Sequence, residues 1–316
     1  MADNTTHVDR PGEPSAASPE HSRLIWDPFL GVYAGQAPGR MQRRELTAEC
    51  PFCADLSSGR VAPGAQAWMR PNDFPALLPP AGECHLLIYS PDHNRSFADL
   101  TPPEALAVVG LWQQAYRQLA PHYQAVMTWE TSGAEIGQTQ FHPHGQTYAL
   151  AAIPDQIERE LAAIERAARQ GIGCPFCAER ETEATGPRAV LSTEHWTSFV
   201  PPYARYPYQL RLTPRRHVPS VADLSDAEAA ALAVLLPRLI RAYARVYHAP
   251  MPYMLALHQF AAERFHFHIE LLPVGRAPGK LKLAASSEMG WGFWMNDSFP
   301  EAKAAELRDA LAAETP

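Results

Sequence analysis

The sequence predicts an α+β fold made of two tandem copies of one unit, each a mainly antiparallel sheet with one long helix. Three observations carry that expectation. Two Cys-Pro-Phe-Cys motifs stand at Cys50/Cys53 and Cys174/Cys177, an offset of 124 residues. The same offset carries His93 to His217, the pair His142/His144 to His266/His268, and Phe141 to Phe265. Each copy also holds one long stretch with helical apolar spacing, flanked by strand-like runs.

Taken in order, residues 1–22 (MADNTTHVDRPGEPSAASPEHS) are polar, lack a basic-then-apolar signal pattern, and are expected to be a disordered tail. Residues 23–165 are the expected first half and 166–316 the second. In the first, "CHLLIYS" reads as a strand. "TPPEALAVVGLWQQAYRQL" then opens on a Thr101-x-x-Glu104 capping box and continues as a helix. "YQAVMTWE" and the His142-Pro-His144 segment follow as strands. The second half repeats this with "YQLRLTP", a helix from Ser225-x-x-Glu228, "PYMLALHQF" and His266/His268. Alternation along a strand sends His142 and His144 to one face. Pro143 has no N–H to donate, so its segment is expected at a sheet edge or bulge.

Bulk properties narrow the function. The 316 residues carry a net charge of −7, with a pI near 6.0 and a mean hydropathy of −0.25, so no basic field for nucleic acid is expected. No apolar run approaches the ~18 residues of a membrane span. With no secretion signal, the spacing of four of the five cysteines favours metal ligation or redox chemistry over disulfides, and the expected location is cytoplasmic. Cys84 reads as a small buried hydrophobe.

A Cys-x-x-Cys turn supplies two thiolates, and two histidines of the same half complete a tetrahedron of the kind zinc adopts in structural sites. The expected ligands are Cys50, Cys53, His93 and His142 in the first half, and Cys174, Cys177, His217 and His266 in the second. Four protein ligands close each site, so both zinc ions are expected to hold structure. His144 and His268 are then left over. His144 is followed by Gly145, which lets backbone approach a ligand, and by Gln146, a neutral donor. A neutral imidazole whose other nitrogen is held by an acceptor can attack phosphorus, which makes His144 the candidate nucleophile and Gln146 its partner for charge on a phosphoryl oxygen. His268 lacks the Gly-Gln sequel.

With these residues in place, the chain resembles the galactose-1-phosphate uridylyltransferase branch of the histidine triad superfamily. The matching stretches include "WDPFLGVYAGQAPGR", "ECPFC", "PNDFPAL", "YSPDH", "ETSGAEIGQTQFHPHGQ", "TPRRHVP", "HFHIELLP" and "APGKLK". The resemblance implies two histidine-triad-like halves and a ping-pong transfer: His144 takes UMP from UDP-glucose, releases a sugar 1-phosphate, and passes UMP to a second hexose 1-phosphate. It further implies that Gln146, Thr139 and Arg40 face phosphate, that Asn72 and Asp73 lie near uridine, and that Lys282 and Glu288 contact the hexose. The partners are then a UDP-sugar and a sugar 1-phosphate, within a homodimer that shares its active sites. Some relatives hold the second metal with a glutamate and three histidines, here Glu160, His258, His266 and His268. Because Cys174 and Cys177 are in register, the Cys2His2 set is preferred, leaving Glu160 as a helix-surface carboxylate and His258 as an interior or pocket residue.

The chain also departs from the family pattern. "ETSG" replaces Glu-Asn-Lys/Arg-Gly, Phe141 replaces a proline, Ser287 a tyrosine, and Trp291 and Trp294 are added. These changes bear on which sugar is accepted. Two other functions remain open on sequence: a specialised nucleotidyltransferase or nucleotide-sugar phosphorylase, and a non-catalytic zinc-stabilised binding protein.

Overall fold

The computed structural model describes residues 22–37 and 49–314. Most of the expected tail lies outside these residues, as does Arg40. A hairpin of β1 (Arg23–Asp27) and β2 (Val32–Gln36) leads to α1 (Pro51–Ser57), β3 (Trp68–Pro71), β4 (Gly82–Ile88), α2 (Pro102–Leu119), β5 (Ala125–Ser132) and β6 (His144–Leu150). Then come α3 (Asp155–Arg169), α4 (Pro175–Glu183), β7 (Ala189–Ser192), β8 (Trp196–Phe199), β9 (Leu210–Pro214), α5 (Asp226–Tyr247), β10 (Tyr253–His258) and β11 (His268–Pro273). The chain ends with β12 (Gly275–Ala277), β13 (Lys280–Leu281), α6 (Ser286–Trp291) and α7 (Pro300–Ala312).

The duplication is written into the backbone. Cys50 and Cys174 each sit at a helix N-cap with φ −76° and ψ 120°, followed by a proline whose fixed φ suits the first helical turn. Both long helices begin on the expected capping box. Glu104 takes the Thr101 backbone N–H at 2.8 Å, and Glu228 takes that of Ser225 at the same distance. Beneath the helices the strands merge into one antiparallel sheet of order β3-β4-β6-β5-β10-β11-β9-β8-β7. The halves meet at its centre, where β5 pairs with β10 through Leu255↔Glu130 and Ala256↔Trp129. Helices α2 and α5 pack together over a core that joins Tyr89 and Trp112 of one half to Trp196, Leu236 and Tyr243 of the other.

Strand alternation separates this helical face from the site face. In β6, Ala149 enters the helical core while Tyr148 and Leu150 face Leu77, Cys84 and the hairpin's Leu24. Cys84 is buried as expected. The expectation for Pro143 fails. Strand β6 is interior, paired with both β4 and β5. The missing N–H costs nothing because the ladder begins one residue later, at His144, and the Pro143 carbonyl accepts from the Tyr89 N–H at 3.0 Å.

Candidate active site and metal centres

The first CPFC turn at the head of α1 is brought to the segment entering β6. Sγ of Cys50 and of Cys53 each lies 3.6 Å from Nδ1 of His142, and Cys53 Sγ lies 3.6 Å from Nδ1 of His93. In the second half Cys174 and Cys177 lie 3.7 and 3.4 Å from Nδ1 of His266, and Cys177 is 3.5 Å from Nδ1 of His217. Zinc bonded to sulfur at about 2.3 Å and to nitrogen at about 2.0–2.1 Å, at the tetrahedral angle, separates those atoms by about 3.6 Å. Both quartets therefore have the spacing the ion requires, and all four donor atoms of each lie within 4.8 Å of one another.

The tautomers agree. Nε2–H of His142 donates to the Ser90 carbonyl at 2.7 Å, that of His266 to the Pro214 carbonyl at 3.1 Å, and that of His217 to the Glu263 carbonyl at 2.9 Å. Each ring thus turns an unprotonated Nδ1 toward the sulfurs. Burial lowers the pKa of His142 and takes His266 down to about 3, keeping both neutral. Burial and the neighbouring Cys174 push the Cys177 thiol up to about 11. Two crowded thiols beside neutral imidazoles are a donor set that a divalent cation resolves.

His142 and His144 share a side of the sheet, for the Phe52 ring lies 5.5 Å from the first and 5.1 Å from the second. Nδ1–H of His144 donates to the His142 carbonyl at 2.8 Å, which makes Nε2 the nitrogen with the lone pair. His144 opens onto a cavity of about 230 Å³ lined by Trp129, Thr131, Gln138, Thr139, Gln146 and Tyr148, among others. Gly145 is required here because a Cβ would overlap the Tyr89 hydroxyl. Tyr148 O–H donates to Oε1 of Gln146 at 3.3 Å, which turns the amide N–H2 of Gln146 outward as a donor. Sequence reasoning passed over Tyr148, although its position two residues beyond Gln146 on a strand places it on the same face.

Other expected site residues are not in this cavity. Asn72 Oδ1 accepts from the Phe74 N–H at 2.9 Å, and Asp73 is held by Arg70 at 2.5 Å. Lys282 and Glu288 are buried together, 3.5 Å apart, outside the cavity's lining. Trp291 is 87% exposed, whereas Trp294 packs on Tyr206 and Arg205.

The position matching His144 in the second half is closed. His268 is fully buried, and Phe176 stacks on it at 4.7 Å. Glu160 is not on the helix surface, as expected, but 7% exposed: α3 turns it inward. Its Oε1 lies 2.8 Å from Nδ1 of His258 and 3.7 Å from Nε2 of His268. Burial alone would raise its pKa, but His258 and His268 outweigh that and hold it far below the usual carboxylate range. Beside it, Glu270, which stands where the first half has Gln146, takes Arg211 at 2.7 Å and Gln209 at 2.9 Å. A larger cavity of about 470 Å³ lies by Cys174 and His217, walled by Ile164, Glu165, Ala168, Arg169 and Arg264, with Glu165 held by Arg264 at 2.9 Å.

Comparison with known proteins gives a consistent picture. Residues 65–154 match the galactose-1-phosphate uridyl transferase N-terminal domain and residues 177–278 its C-terminal domain. A galactose-1-phosphate uridylyltransferase of Thermotoga maritima is 32% identical, over 72% of this chain and 74% of its own. One from Streptomyces lividans is 34% identical, over 79% and 72% respectively. A solved uridylyltransferase structure superposes with a TM-score of 0.83 at 28% identity, covering 92% of this chain and 98% of that one.

Proposed function

Because the chain belongs to the galactose-1-phosphate uridylyltransferase family, we propose that it moves UMP between UDP-glucose and a hexose 1-phosphate, with His144 as the covalent carrier. The single observation that carries this is the Nδ1–H bond from His144 to the His142 carbonyl, on a ring that opens into a polar cavity. Nε2 attacks the α-phosphorus. An N–P bond forms, the bond from phosphorus to the bridging oxygen breaks, and hexose 1-phosphate leaves with that oxygen. The positive charge that develops on the ring is met by the His142 carbonyl dipole through Nδ1–H, the role a carboxylate plays in other triads. Gln146, oriented by Tyr148, donates to a phosphoryl oxygen in both directions of the exchange. A second hexose 1-phosphate then attacks phosphorus through its phosphate oxygen, and the N–P bond breaks. Since similar phosphates enter and leave, neither half-reaction needs much driving force.

Bound at Cys50, Cys53, His93 and His142, zinc supplies rigidity to the chain carrying the nucleophile. A second zinc is assigned to Cys174, Cys177, His217 and His266, supported by Nδ1 of His266 facing the sulfurs. The segments 23–165 and 166–316 are read as the two products of the duplication, with α3 (Asp155–Arg169) running across their boundary. Thr139 is assigned to the phosphates, Asn72 and Asp73 to the uridine, and Lys282 and Glu288 to the hexose. That last pair lies outside the His144 cavity, which supports a homodimer in which one subunit completes the site of the other. Exposed Phe29, Leu30, Trp291 and Phe299 supply apolar surface for it. The grouping of four cysteines with histidines as metal donors rather than as disulfides supports a reducing, cytoplasmic setting, and no helix among the described residues is long and apolar enough to cross a membrane.

The test is isotope exchange. Labelled glucose 1-phosphate should enter UDP-glucose with no second sugar present, and His144→Ala should abolish that exchange. Exchange that requires a second sugar phosphate would rule out the covalent route.

A further inference from the structure

Most ion pairs among the described residues are closed. Arg70–Asp55, Arg95–Glu104, Arg188–Glu183 and Arg211–Glu270 lie at 2.5–2.7 Å, in line with the roughly 2.7–2.9 Å of charge-assisted bonds. The cluster around Lys282 is open. Its Nζ is 3.5 Å from Oε1 of Glu288 and 3.8 Å from Oδ2 of Asp297, and Arg276 Nη1 is 3.7 Å from that same Asp297 oxygen. Yet the Lys282 side chain is only 7% exposed. A buried ammonium with such distant acceptors is poorly compensated unless a ligand beside them accepts from it.

The two carboxylates differ in what they can offer. Both oxygens of Glu288 are engaged within its own turn. Oε2 accepts from the Ala285 N–H at 3.1 Å and from the Ser287 hydroxyl at 2.8 Å, while Oε1 meets Lys282 and the Met295 N–H, each at 3.5 Å. Glu288 is therefore the cap of α6 as much as a ligand group. Asp297 is 44% exposed and meets its cations only at long range. With Lys282, Arg276, Glu288 and Asp297 charged, the cluster is neutral overall, so a phosphate gains little there. Hydroxyls gain more, because each can donate to a carboxylate while accepting from a cation.

We propose that Asp297 is a specificity residue that accepts a hydrogen bond from one hydroxyl of an adjacent pair on the hexose, with Lys282 and Arg276 donating to the pair. This rests on the assignment of Lys282 and Glu288 to the hexose, and it makes Asp297 the carboxylate that reads hydroxyl configuration. It also disfavours inorganic phosphate as an occupant of this subsite.

The experiment uses enzyme loaded with UMP from UDP-glucose and freed of sugar. UMP discharge is followed with galactose 1-phosphate and with its singly deoxygenated analogues. For wild type, removing the hydroxyl that Asp297 accepts should lower kcat/KM by about 10- to 100-fold. Asp297→Asn should show a loss of that order with the full sugar, mainly through KM, and little further loss with that one analogue. Independent, multiplicative losses for every analogue would overturn the assignment. Lys282→Met separates this inference from the one beneath it. If Lys282→Met impairs discharge and Asp297→Asn does not, Asp297 alone is wrongly assigned. If both discharge at the wild-type rate, the hexose is not held here and both assignments fall.

Discussion

In the first half, the histidine that follows the metal-side histidine opens onto a cavity with neutral donors around it. In the second half, the histidine at the same place is wrapped by Phe176, Glu160 and His258 and has no exposed surface. The backbone is nearly the same in both: each ring donates Nδ1–H to the carbonyl two residues earlier, at 2.8 Å for His144 and 3.0 Å for His268. Each is also preceded by a histidine facing two thiols. What differs is the neighbourhood. Gln146 is replaced by Glu270 with Arg211, and α3 brings a carboxylate into the space a nucleotide would occupy. Tautomer and a thiol–imidazole quartet able to hold a metal brace the imidazole. An accessible cavity lets it be used, and here one half keeps both conditions while the other keeps the first alone.

The largest expected effect breaks the symmetry outright. His144→Ala should lower UMP transfer by roughly 10⁴-fold or more, while His268→Asn should leave kcat within about tenfold of wild type and lower thermal stability instead. Equal losses of kcat would mean that both rings take part. Next in size is the sealed network. Glu160→Ala leaves His258 and His268 without their carboxylate, and a urea titration should show a loss on the order of 3 kcal/mol with the UMP-transfer rate of the folded enzyme little changed.

The metal sites sharpen the contrast further. Cys50→Ser and Cys174→Ser should each remove one of two bound zinc ions per chain, measured by elemental analysis. Only the first should depress kcat in the folded protein, by about 10- to 100-fold, because it loosens the His142 carbonyl that holds His144.

A last contrast concerns Glu130, on β5 beside the strand of His144, which accepts from the Tyr253 hydroxyl of the other half at 2.7 Å. Burial raises its pKa from 4.5 to about 8. Its favourable protonated form is complete below about pH 4.5, and that stability is lost as pH rises through 8. Wild-type protein should therefore melt on the order of 5 °C lower at pH 8.5 than at pH 5.5 from this group, and Glu130→Gln should flatten that slope.

Much of this was legible beforehand because it is local or periodic. The 124-residue offset located the Cys2His2 quartets that could hold a metal, the capping boxes located the two long helices, and HPHGQ marked the candidate nucleophile. What escaped depends on where separate elements meet. Glu160 reads as a surface residue in "PDQIERE" because nothing in that stretch tells which face of α3 will meet β10 and β11. Pro143 suggested an edge because strand register, which puts it one residue ahead of the ladder, is set by partners far along the chain. The fusion of both halves into one sheet through β5 and β10 is likewise a matter of assembly.

Peptide mapping after brief incubation with UDP-glucose tests the central claim most directly. The account predicts one nucleotidyl group per chain, on the peptide carrying His144, discharged on adding a hexose 1-phosphate. A nucleotidyl group on His268, or a competent enzyme that never carries one, would contradict it.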